Sequence, residues 1–183
     1  MTRSIRCNRL LATALVVAAW PLAQVATAGP TEPTVPTEIA VPAGHKLYLI
    51  GHAVGVQIHR CDAVAGGYKW SFTGPRANVY GDNGRLLTIH FAGPSWQAKD
   101  GSKVVGTLDG RVTVDPTAIP WLRLVALASA GPEGDRLAGT TYIQRLATTG
   151  GLAPAPASCN ASTLGAIEEV PYTADYTFWK AAS

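Results

Sequence analysis

Short apolar runs, many of them alternating or β-branched, recur from Lys46 to the end of the chain, and each is cut off by glycine, proline or asparagine. Spacing of this kind leaves little room for helices and points to short strands joined by turns. Tyr68, Trp70 and Phe72 alternate with Lys69, Ser71 and Thr73, a period of two. Tyr172, Ala174, Tyr176 and Phe178 alternate with Thr173, Asp175, Thr177 and Trp179 in the same way. Asn78–Tyr80 and Leu86–Phe91 flank Gly81-Asp82-Asn83-Gly84, whose Asn-Gly step predicts a hairpin. Asp109-Gly110, between Lys103–Leu108 and Arg111–Val114, predicts another, while Gly51 and Gly55 predict bends or a bulge. Trp121–Ser129 has a length that suits a strand or one helix, and Gly139–Leu146, with Thr140, Thr141, Tyr142 and Ile143, favours a strand. The fold class expected is all-β: a single-domain sandwich or barrel of about eight to ten short strands.

The first 28 residues read differently. Arg3, Arg6 and Arg9 precede an apolar run from Leu10 to Ala19, and Ala26-Thr27-Ala28 supplies an A-x-A site. This is the pattern of a cleavable secretory signal peptide, residues 1–28, and the apolar run is too short for a retained spanning helix. The expected location is secreted or periplasmic, with no membrane association after cleavage. Residues 29–44, with Pro30, Pro33, Pro36 and Pro42, read as an extended Pro/Thr-rich leader, and residues 45–183 as one β-rich domain. Of the fifteen Lys and Arg, the three arginines leave with the signal, so twelve basic residues balance twelve acidic ones. A neutral domain with scattered charges lacks the electrostatic footprint of a nucleic-acid binder.

Cys7 departs with the signal, leaving Cys61 and Cys159. In an oxidising compartment a lone pair predicts one disulfide. The competing reading, a reactive thiol beside Arg60, needs more than one exposed neighbour.

Several segments occur in order along nearly the whole of residues 45–183. They are Gly55-Val56-Gln57-Ile58-His59-Arg60-Cys61, Gly93-Pro94-Ser95-Trp96 with Asp100-Gly101-Ser102, Ile119-Pro120-Trp121-Leu122, Ile143-Gln144-Arg145-Leu146 with Thr149-Gly150-Gly151, and Tyr172-Thr173-Ala174-Asp175-Tyr176. Together they resemble the secreted family known as domain of unknown function 3455. The resemblance implies export and a single domain, and carries no activity with it.

Candidate site residues come from polar groups in unusual settings. His45, His52 and His59 are spaced by seven, which sends consecutive members of a continuous strand to opposite faces. No metal-ligand spacing or dinucleotide motif is present, so neither metal nor cofactor is expected. His90 leads into a segment carrying Trp96, Asp100 and Ser102. These are groups for an acid–base site or a ligand cleft, or else simply for a tight turn. Trp96, read as lying on a loop, is the better sugar-stacking platform, whereas Trp70 reads as packing. Gln144 and Arg145 interrupt an apolar strand, so one must face the apolar side or a cavity. A buried Arg145 needs either an acid (Asp115, Glu168 and Asp175 are the candidates) or a ligand anion. Asn160-Ala161-Ser162 fits a glycosylation sequon, relevant only on a eukaryotic secretory route.

Three functions fit. The first is noncatalytic binding of a small molecule or envelope glycan by His90, Trp96, Asp100, Gln144 and Arg145. The second is an extracytoplasmic hydrolase using His90 with Asp100, although Gly93-Pro94-Ser95-Trp96-Gln97 is not a nucleophile elbow. The third is a structural envelope protein. A cleft bringing His90, Trp96 and Asp100 together, with Arg145 approaching it, separates the first two from the third.

Overall fold

The computed structural model describes residues 29–182, so the signal-peptide reading falls on residues outside those described. Eight strands follow in chain order: β1 (His45–Val64), β2 (Gly67–Tyr80), β3 (Leu86–Phe91), β4 (Ser95–Ala98), β5 (Lys103–Val112), β6 (Trp121–Ala130), β7 (Thr140–Gly150) and β8 (Ile167–Ala181). Each pairs antiparallel with the next, and β8 pairs back onto β1 through registers such as Gly51–Tyr176 and Ala53–Ala174. The all-β expectation therefore resolves to a closed up-and-down barrel, which leaves no sheet edge exposed. Eight strands enclose a bore that side chains can fill, or that can hold one small ligand.

Strand Trp121–Ala130 settles the helix-or-strand choice, and Gly81–Gly84 makes the hairpin turn expected of it. Two glycine readings change. β1 runs unbroken through Gly51 and Gly55. A Cβ on Gly55 would land on the Arg76 carbonyl and Ala77, so this glycine permits close approach of β1 and β2. Asp109-Gly110 is not a turn but a register shift within β5. A Cβ on Gly110 would strike the backbone carbonyl of Glu38 in the leader.

That contact shows why the leader is more than extended chain. Thr37–Ile39 forms a 3-10 turn, and Ile39 is fully buried against the barrel's outer wall. Arg123, held by Asp109, donates to the Ala40 carbonyl. Inside the wall, Ala53, Val79, Trp96, Ile143, Tyr176 and Phe178 belong to one core.

Because every connection joins neighbours, the loops alternate between the barrel's two ends. Residues 81–85, 99–102 and 131–139 lie at one end, and 65–66, 92–94, 113–120 and 151–166 at the other. Cys61 and Cys159 are bonded, with S–S 1.99 Å and Cα–Cα 5.3 Å, which ties β1 to the 151–166 loop at that second end.

Candidate functional site

The second end opens into a cavity of about 370 Å³. Pairing explains its lining. His90 lies opposite Trp96 across β3 and β4, and Arg145 lies between Tyr176 on β8 and Leu122 on β6. Directly paired residues share a face, so these side chains meet inside the barrel. The rim is apolar, with Phe72, Leu108 and Leu127 at 55, 54 and 68 % exposure.

His90 is buried, with its ring stacked on Trp96 at 4.3 Å and 11° and its face toward Tyr176 at 5.0 Å. Nδ1 donates to the Ser95 carbonyl at 2.9 Å. A carbonyl only accepts, so the proton sits on Nδ1 and Nε2 keeps its lone pair. Burial pushes the imidazole pKa down to about 3, and the Arg145 charge pushes the same way against the Ser95 hydrogen bond. The ring is therefore neutral at ordinary pH.

Arg145 is the charged group among the cavity's lining residues, which include no acid. Nε and Nη2 donate to the Pro120 carbonyl at 3.1 and 2.8 Å, and the guanidinium lies beside the Tyr176 hydroxyl. Among the described residues no carboxylate pairs with it. Burial lowers its pKa, with the nearby phenols of Tyr176 and Tyr172 acting in opposition. Those two hydroxyls are 3.4 Å apart, and burial raises both phenol pKa values. Two further donors, Gln57 Nε2 and Trp96 Nε1, are buried without a hydrogen-bond partner, and both residues line the cavity.

The expected site is thus partly assembled. His90, Trp96 and Arg145 converge, although Trp96 is a buried strand residue (1 % exposed) rather than an exposed stacking platform. Asp100 does not join them. β4 carries the chain from the cavity to the opposite end, where Asp100 accepts Ser102 N–H, Ser102 O–H and Arg136 N–H at 2.9, 2.6 and 2.8 Å. Asp100 serves the tight turn, and the His90–Asp100 pair required for a hydrolase has no common site. Gln144 is buried on the outer face of β7. Its Nε2 donates to the Ile39 carbonyl at 2.8 Å, and its Oε1 accepts from Thr177 and Trp179. The ion pair expected of a buried Arg145 is also absent: Asp175 binds His52, and Asp115 accepts from Thr117 in its own turn.

A broader depression of about 830 Å³ lies at the Asp100 end, lined by Tyr48, Asp100, Arg136 and Lys180 among others. Its acids and bases are of both signs, and Asp100 is already satisfied there. At the same end His52 bridges Asp175 and Asp82 at 2.7 and 2.8 Å, and those bonds raise its pKa. Of the four unpartnered buried polar atoms among the described residues, Gln57 Nε2 and Trp96 Nε1 belong to the first cavity and none to this depression.

Gln57 and Tyr176 line the cavity's polar floor, with the Tyr172 hydroxyl behind that of Tyr176, and none of the three stands out as a site residue in the sequence. A signal existed for Tyr176, which lies on the same alternating face as Tyr172, Ala174 and Phe178. Gln57 is a polar residue in register with Ala53 and Gly55 on β1, which marks an inward position.

The fold and site define a class: a closed eight-stranded meander whose bore ends in a cavity with a basic, hydrogen-bonding floor. Residues 42–180 match the family model described as protein of unknown function (DUF3455), and the chain belongs to that family. No curated protein and no solved structure matches the chain.

Proposed function

We propose that this barrel is an extracytoplasmic binding protein that holds a small molecule in the cavity beside His90, Trp96 and Arg145, without catalysis. One observation carries the reading. The cavity combines an apolar, exposed rim with a floor of buried polar groups that the protein leaves unpartnered. Unpartnered buried donors cost about 1–3 kcal/mol each, so their retention favours an outside partner. A cavity of this size and lining suits a small organic ligand better than a glycan laid on an exposed aromatic. The separation of His90 from Asp100 weighs against the hydrolase alternative. Export is supported by the pattern of residues 1–28 and by the disulfide, which persists in oxidising compartments. Secreted protein should begin at Gly29 by intact mass.

The binding test uses a neutral apolar fluorophore, Nile red. It should brighten on the wild-type protein and not on Leu122→Trp, which fills the cavity from β6. Equal brightening on both proteins places the dye elsewhere and removes the support for this site.

A further inference from the structure

We propose that the cavity's ligand is an organic carboxylate, an apolar body ending in a single negative charge that sits on Arg145. This rests on the small-molecule reading above and adds the chemical class. The argument begins with charge. Arg145 is placed inside a wall of apolar strands, and a guanidinium there is expected to have an acid beside it. Two of its N–H groups go to one carbonyl, that of Pro120, and the rest have no carboxylate or carbonyl acceptor among the described residues. A carbonyl supplies a dipole and leaves the positive charge uncompensated.

The surroundings repeat the same sign. Trp96 Nε1 is an N–H donor without an acceptor and Gln57 Nε2 has only the Tyr172 phenol near it, at 1 and 3 % residue exposure. The Tyr176 hydroxyl lies next to the guanidinium, with the Tyr172 hydroxyl 3.4 Å beyond it. The floor carries acceptors in His90 Nε2 and the Gln57 amide oxygen, but its one formal charge is positive and what it lacks is an anion. A planar fork of N–H groups matches a carboxylate in shape as well as charge. One positive charge, with the His90 ring held neutral by its buried setting, fits a monoanion better than a dianion. The apolar rim formed by Phe72, Leu108 and Leu127 then covers the ligand's hydrocarbon body.

The experiment compares 2-naphthoate with its neutral isostere 2-naphthamide and the dianion 2-naphthyl phosphate, by calorimetry on the purified protein. The acid should bind at least about tenfold more tightly than the amide. Arg145→Gln should bring the two within about twofold of each other, chiefly by weakening the acid. Arg145→Lys, which keeps the charge and loses the fork, should weaken the acid and still favour it over the amide. Equal binding of acid and amide to the wild type overturns the carboxylate assignment and leaves the pocket reading standing. Tighter binding of the phosphate also overturns it. If none of the three binds at millimolar concentration while Nile red does, the carboxylate assignment fails alone. If Nile red fails as well, both readings fall.

Discussion

Gln144 and Arg145 are consecutive residues of β7, each a polar side chain set among apolar neighbours, and they face opposite sides of the same wall. Gln144 points outward beneath the leader and has its amide satisfied at both ends, by the Ile39 carbonyl and by Thr177 and Trp179. Arg145 points inward, holds one carbonyl and meets no acid among the described residues. The contrast is instructive because the fully buried residue is the one the chain satisfies, and the half-buried one, facing the cavity, is not. A buried polar group whose partners are all supplied by the chain fastens one element to another. One whose partners are missing marks a place where something else is expected. The leader completes the hydrogen bonding on the outer face, and among the described residues no acid answers the charge on the inner one.

The largest effect on that contrast should come from the covalent tie at the cavity end. Reducing Cys61–Cys159, which closes a separation of 98 residues, should cost about 4–5 kcal/mol in the loop-entropy model. Denaturant melts with and without reductant measure it. Amide exchange should rise first in residues 151–166 at the cavity end, with the leader face following only on global unfolding.

Next comes the charge that the cavity excludes. His90 stays neutral in the folded barrel down to about pH 3, whereas an unfolded histidine takes up its proton near 6.5. Protons therefore favour the unfolded chain. Stability should be complete above about pH 6.5 and fall as pH drops toward about 3, by up to about 5 kcal/mol. His90→Gln, which removes the titrating ring, should flatten that part of the pH–stability curve, and an unchanged slope would assign it to other groups.

Gln144→Leu tests the outer face. It strands the Ile39 carbonyl and the Thr177 hydroxyl proton, while the Trp179 indole N–H keeps the Thr177 oxygen at 2.9 Å, so a loss of roughly 2–4 kcal/mol is expected in urea melts. Naphthoate affinity should stay within about twofold of wild type. A fall in affinity as large as that for Arg145→Gln would erase the distinction between the two faces.

Much of this arrangement is legible in the chain. Alternation at Tyr68–Thr73 and Tyr172–Trp179 yields strands, and the polar interruption at Gln144-Arg145 does lead to the site. Three features escape for physical reasons. Gly110 looks like a turn because a glycine freed for a turn and one cleared for a docking backbone are the same residue in sequence. Trp96 and Asp100 are four residues apart, yet β4, which holds Trp96, runs away from the cavity and leaves Asp100 in the turn at the opposite end. Which acid would answer Arg145 depended on tertiary pairing, and here Asp175 is committed to His52.

The smallest shift in stability belongs to the most direct measurement, the melting temperature of wild type and Arg145→Leu with and without saturating 2-naphthoate. Removing an uncompensated half-buried charge should outweigh the loss of its bonds to the Pro120 carbonyl and leave the unliganded variant about 1–2 kcal/mol more stable than wild type. Ligand at about a hundred times its dissociation constant should add about 2.7 kcal/mol to the wild type and almost nothing to the variant. A variant that melts lower than wild type without ligand, or that is stabilised by naphthoate as much as wild type is, would contradict the claim that Arg145 is held in the barrel to receive an anion.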